Sequence, residues 1–267
     1  MRKSVCRRLS KTLGSLIMED KMITAEYVKK YVNNWEGRHD SWVAQYLSKI
    51  LNTDKKTMSG IRTELKEKVF DDWRVGLAFF IDRTTYQSRS DKVNIKTATY
   101  LFKKIINLPE KFCGDAIDAM LMEIKSDKTS GRVTHIRERA DIERLEAVCK
   151  YLESTSEKNF TKIVLSIPTE IELWKFLDQF PFVSKNKTAP FYMKFISWLF
   201  ELNIEPITID RHVINSLISH GISIGNGRKD AAKAIMEISN KLSIPAVNIE
   251  TALYEDSWLK SNNDFFK

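Results

Sequence analysis

The chain has 267 residues, with 43 Lys and Arg against 35 Asp and Glu, for a formal net charge of +8. That length holds about one large or two modest domains, and a hydrophobic share of 43% with 10% aromatics excludes wholesale disorder. Six Pro and nine Gly are roughly half the average share, so few residues break the chain; long helices are expected, and an all-β sandwich with its frequent turns is excluded. No apolar run approaches the roughly 18 residues that span a bilayer, so no membrane partner is expected. The positive excess suits a polyanion, because phosphate neutralisation supplies most non-specific nucleic-acid affinity.

In chain order, Arg2, Lys3, Arg7, Arg8 and Lys11 imitate the front of a signal peptide. The apolar stretch Leu13–Met18 is too short and runs into Glu19 and Asp20, so residues 1–20 read as a basic arm and 21–267 as the folded part. Apolar spacing of three and four predicts helices over 22–33, 40–53, 57–70 and 71–82, then over 94–107, 114–125, 140–154 and 158–166. Residues 126–132 are polar and read as a surface loop. Trp35, Trp42, Trp73 and Trp174 sit on apolar stripes and read as core. Cys6, Cys113 and Cys149 are far apart and odd in number, and His39, His135, His212 and His220 lack paired ligand spacing. No metal site, cluster or disulfide framework is expected, and a reducing, cytoplasmic setting is.

The last third has sharper punctuation. Thr169-Glu170-Ile171-Glu172 is a capping box opening a helix that must stop near Phe180-Pro181. A link over 182–187 leads to Thr188-Ala189-Pro190, which opens a second helix, apolar nearly all round from Phe191 to Leu202 and broken by Pro206. Ile207-Thr208-Ile209 reads as an extended connector. Asp210 stands where an N-cap belongs, for a helix running to His220 with Gly221 as its left-handed end.

Those parts, in that order, resemble the helix-hairpin-helix DNA glycosylase superfamily. The family's hairpin reads Leu-Pro-Gly-Val-Gly-x-Lys-Thr-Ala, then a buried helix, then Val-Asp-x-His-Val. Here the chain reads Phe180-Pro181-Phe182-Val183-Ser184-Lys185-Asn186-Lys187-Thr188-Ala189, then Ile209-Asp210-Arg211-His212-Val213. A less specific patch, Gly76 to Ile81 followed by Tyr86-Gln87-Ser88-Arg89-Ser90-Asp91, is similar to the family's apolar helix, Gln-containing turn and Asp-led helix. Both hairpin glycines are replaced, by Phe182 and Ser184, and the loop is one residue longer. The archaeal-type oxoguanine glycosylase/lyase branch, which also lacks a standard hairpin, is the nearest likeness.

The resemblance implies an all-α, two-lobed bundle with a degenerate hairpin, residues 95–180 or so forming the middle lobe and the flanking segments the other. It implies a monomeric DNA N-glycosylase acting without cofactor or metal on double-stranded DNA that carries a modified base. Lys187 would be the nucleophile, forming a Schiff base that permits strand cleavage, with Lys185 the competing amine. Asp210 would be the catalytic carboxylate. Tyr86, Gln87, Arg89, Lys185, Asn186, Arg211 and His212 would contact DNA, the first three as a wedge. The base is open: an oxidised purine, an alkylated base, or a hypermodified phage base, which would make the chain a defence enzyme. From spacing alone Asp210 reads as a plain cap, Lys187 as a surface lysine, the 86–89 segment as a solvated turn and His212 as structural support. A non-catalytic helical DNA- or RNA-binding module and a nucleoside or nucleotide N-glycosidase are the rival readings.

Overall fold

A computed structural model describes residues 22–38, 47–48, 51–85, 91–127, 138–183 and 188–261, leaving aside the side chains of 91–95, 138 and 139. The expected arm, most of the expected helix over 40–53 and most of the loop over 126–132 lie outside these residues. Among the described residues the chain is all-α and contains no strand. No helix there is long and apolar enough to cross a membrane. Two compact units divide the chain: 43–206 forms one, and 1–42 with 207–267 forms the other.

The middle unit holds α2 (Met58–Asp71), α3 (Trp73–Thr85), α4 (Asp91–Ile106), α5 (Gly114–Ser126), a π-helical turn (Glu138–Ile142), α6 (Glu143–Ser154), α7 (Phe160–Leu165), α8 (Glu170–Asp178) and α9 (Thr188–Phe200). Its centre is α3, buried from Val75 through Asp82 and packed against α2, α4, α7 and α9. Aromatic rings fill the space between them: Phe80 lies 4.3 Å from Phe160 and 4.9 Å from Tyr192, and Phe79 stacks on Phe195 at 4.9 Å. Trp73 is in this core, Trp35 and Trp174 are half-buried, and Trp42 lies outside the described residues. Arg144 and Asp141, both fully buried, pair at 2.9 Å where the π-helical turn passes into α6.

A single amide fastens three of these helices. Asn159 caps α7 by accepting from Thr161 N at 2.9 Å and Lys162 N at 3.3 Å. Its Nδ2 donates to the carbonyls of Val69 and Phe70 at 3.2 and 3.0 Å, satisfying the end of α2. Gly76 of α3 lies against the same group, and a Cβ there would sit 2.8 Å from Asn159 Oδ1 and 2.9 Å from Thr161 Oγ1.

Thr169 caps α8 as expected, its Oγ1 accepting from Glu172 N at 3.2 Å, while its hydroxyl, rather than its backbone N–H, donates to the Glu172 carboxylate at 2.8 Å. The buried aromatic helix also forms, as α9, with Tyr192, Met193, Ile196 and Leu199 fully enclosed. It ends at Phe200, two residues before the expected Leu202 and well ahead of Pro206. Glu201 takes φ +57° and Leu202 N bonds back to Ser197 O at 3.2 Å, a Schellman closure made without glycine.

The unit built from the two flanking segments contains α1 (Ala25–Arg38), α10 (Arg211–Ser219), α11 (Arg228–Leu242) and α12 (Ala246–Ser261). Sequence punctuation placed α10 and its Gly221 end, and Gly221 has φ +80° with Ile222 N bonded to Leu217 O at 3.1 Å. It gave no helices beyond Gly221, yet α11 and α12 come after it. Helix α12 packs against α1, α10 and α11 and buries Ile249, Ala252, Leu253 and Trp258 together with Glu250, Glu255 and Asp256.

Asn159→Asp keeps the α7 cap but loses both donors to α2. It should lower unfolding free energy by about 2–3 kcal/mol, because buried groups are left unsatisfied. Gly76→Ala, a change that favours an ordinary helix interior by about 1 kcal/mol, should here destabilise by about 1–3 kcal/mol through overpacking against Asn159 and Thr161. Chemical denaturation of each variant checks the sign and size.

Candidate active site

Asp210 is held by the helix it opens. The preceding residues Thr208 and Ile209 are buried, Asp210 has extended backbone, and its Oδ1 accepts from Val213 N at 3.1 Å. Its main-chain carbonyl accepts from Ile214 N at 3.1 Å. Among the described residues Oδ2 receives no hydrogen bond, although the residue is only 7% exposed. One oxygen therefore fixes the carboxylate, while the other accepts no hydrogen bond from any described residue.

Arg211 beside it is exposed, and His212 is half-buried. His212 Nδ1 lies 3.2 Å from Ser257 Oγ on α12, and its ring meets Tyr254 edge-on at 5.5 Å. That histidine is tied to the neighbouring helix. Structure thus brings Asp210, Arg211 and His212 together at one helix start. Lys187, Lys185 and Asn186, and likewise Tyr86, Gln87 and Arg89, lie outside the described residues.

Thr188, fully buried, opens α9 directly after the Lys187 position. Before the loop, Phe180 O accepts from Val183 N at 3.3 Å, a four-residue turn with Pro181 second and Phe182 third. Phe182 has φ +60° and is exposed, whereas Phe180 and Val183 are buried. Pro at the second place and positive φ at the third define a type II turn, in which glycine is the usual third residue.

Beneath α10 lies a polar cluster that sequence reasoning missed. Asp256 of α12 is only 1% exposed and accepts from Ser216 Oγ at 3.2 Å and Lys260 Nζ at 2.8 Å. Tyr27 and Tyr31 of α1 hydrogen-bond to the same carboxylate, and His220 Nε2 stands 3.7 Å away. Burial opposes ionisation of Asp256, but the hydrogen bonds from Lys260, Tyr31 and Tyr27 outweigh it and hold the carboxyl below its ordinary value. Burial and the nearby carboxylate push the Tyr27 hydroxyl up and that of Tyr31 to about 12, so both remain O–H donors. The only clue in the sequence was two pairs at helical spacing, Ser216 with His220 and Asp256 with Lys260. In the middle unit, Asp82 is buried with Arg83 Nε 2.9 Å from Oδ2, and burial pushes its carboxyl up against the pull of Arg83. Burial also pushes the Cys149 thiol up, which makes it a core residue and not a nucleophile.

Because Asp256 is more acidic in the folded chain than its ordinary 3.8, its contribution to stability is present above that pH and is lost as the pH falls below it. Asp256→Asn should destabilise by about 2 kcal/mol at neutral pH, the worth of charge-assisted hydrogen bonds. It should also flatten the acid limb of stability against pH, measured by urea unfolding between pH 2 and 7 or so. Compared with family models, with curated proteins and with solved structures, the chain matches none.

Proposed function

We propose that the chain is a DNA N-glycosylase that removes a modified base and, through a lysine Schiff base, cleaves the strand. The observation that carries this reading is the divided carboxylate of Asp210. One oxygen is locked into the α10 cap at 3.1 Å and the other accepts no hydrogen bond among the described residues, at the helix start where the resemblance expects a catalytic Asp. The type II turn at Phe180–Val183 supports it, since it places a hairpin-like reversal between α8 and α9. The net charge of +8 suits a phosphate backbone.

The reaction needs the target nucleotide out of the stack, because the glycosidic bond is otherwise unreachable. The uncharged amine of Lys187 attacks C1′ of the sugar. The C1′–N bond breaks, its electron pair leaves with the base, and the base takes up a proton. Asp210, fixed and negative, stabilises the positive charge on the sugar as the bond breaks and receives the proton shed by the attacking amine. Ring opening gives an iminium between Lys187 and C1′. Loss of a C2′ proton then expels the 3′ phosphate by β-elimination. If water is the nucleophile instead, Asp210 deprotonates it and no covalent adduct forms.

Asp210→Asn keeps the cap, since Asn and Asp cap about equally well, but removes the charge. Base release from modified duplexes should fall by at least about a hundredfold, the scale of a lost electrostatic stabiliser, while affinity and Tm stay near those of the parent. Excision at an undiminished rate would remove Asp210 from the chemistry.

Borohydride should trap the parent chain on DNA and should trap Lys185→Gln, but not Lys187→Gln, because only an amine forms the imine. Trapping that is lost with Lys185→Gln alone moves the nucleophile to Lys185. Base release without trapping assigns the attack to water. Salt-dependent binding with neither trapping nor release, across a panel of modified duplexes, leaves a binding module.

A further inference from the structure

Phe182 is unfavourable twice over where it stands. Its φ of +60° is a region that L residues with bulky side chains rarely enter, and the residue is 42% exposed. The other non-glycine residues at positive φ are, among the described residues, Asn52, Glu201 and Ser243, all polar and all at the ends of helical segments. Phe182 is the aromatic exception. Its neighbours explain how the conformation is enforced. Phe180 is sunk among Phe80, Phe160, Phe176 and Tyr151, with ring centroids 5.4 to 5.9 Å away, and Val183 is also buried. Both ends are pinned and Pro181 holds the second position, and within that frame the third residue is held left-handed. The same pinning keeps the ring of Phe182 out of the core.

A glycine would satisfy that backbone without strain and without exposing apolar surface. Backbone strain of this kind is held at binding and catalytic sites, where the side chain's work offsets it. The chemistry of the neighbouring sequence indicates the ring's partner. The chain continues with Lys185 and Lys187, the last turn of α8 carries exposed Lys175, and the net charge is positive. An exposed aromatic ring in a lysine-rich stretch fits a polyanion that itself presents flat aromatic faces.

We propose that Phe182 is a stacking residue of the hairpin, placing its ring on the exposed face of an unstacked base in the DNA strand that the hairpin engages. This rests on the DNA-glycosylase reading and adds to it a contact that a glycine hairpin cannot make. In place of close backbone approach to a phosphate, the turn offers a base a π surface. Such stacking tolerates any base, so Phe182 governs affinity for distorted DNA and not the choice of base.

The test compares the parent chain with Phe182→Gly, Phe182→Ala, Phe182→Leu and Phe182→Trp. Each is measured for Tm and for binding to a duplex with a central tetrahydrofuran abasic analogue flanked by 2-aminopurine. Phe182→Gly should raise Tm by about 2–4 °C through relief of strain and yet weaken binding about tenfold, the scale of one base–aromatic contact. Phe182→Ala and Phe182→Leu should lose the same affinity without the gain in Tm, and Phe182→Trp should retain it. The slope of affinity against salt should not change, because no phosphate contact is removed. Quenching of 2-aminopurine on binding should be present in the parent and Trp forms only. Unchanged affinity in the Gly, Ala and Leu variants, or a loss matched by a shallower salt slope, overturns the stacking role while leaving the glycosylase reading in place. Self-association of the parent that Phe182→Gly abolishes would show the ring covered by a second copy and overturn it equally. A parent chain that binds no DNA would remove both readings together.

Discussion

The carboxylate of Asp256 is the interaction on which the unit carrying Asp210 depends. A buried negative charge is tolerated only when its oxygens are hydrogen-bonded and its charge is answered. Here the partners come from three helices: Tyr27 and Tyr31 from α1, Ser216 from α10 with His220 just past its end, and Lys260 from α12 itself. Apolar packing alone leaves helices free to slide and rotate by small amounts. A charged knot at their crossing sets one rotation. Through Ser216, less than two turns along α10 from its start, the orientation of that helix and hence of its capping carboxylate is fixed.

The middle unit solves the same problem with a neutral group. Asn159 commits its donors to one stretch of backbone and its acceptor to another, and Gly76 lets α3 approach it closely. The aromatic cluster then fills the remaining volume around Phe80 and Phe160. Neither device includes a residue assigned to chemistry. They hold α9 and the turn before it in place, and so determine where the loop between them must start and finish.

Cap chemistry is local, and it was readable. Thr169 with Glu172, Asp210 before Val213, and Gly221 after α10 are each spelled within a few residues, and each forms in the structure. Helix α12 was not readable, because it is buried on most sides and its buried positions include Glu250, Glu255 and Asp256. Such a helix presents no apolar stripe, and its charges make sense only beside partners far off in the chain. The end of α9 was misplaced for a related reason: a Glu at positive φ closes it, where only glycine or asparagine would have signalled the turn. The candidate site divides along the same line, with the Asp210 cap legible and the shelf beneath it not.

Helix α1 packs chiefly on α12, and the two are separated by more than 200 residues. On a ribosome adding about 5–20 residues per second, α1 therefore emerges some 10–40 s before the surface that receives it. During that interval the middle unit can complete its own contacts, since all of its helices are encoded between the two. The apolar side of α1, with Val28 and Val32 and with Ile23 just ahead of it, waits uncovered. Order of synthesis thus makes the Asp210 unit the last to mature. A nascent chain already long enough to include the capping Asp still lacks Asp256, and its carboxylate stands on an unanchored helix until the final turns of α12 have been made.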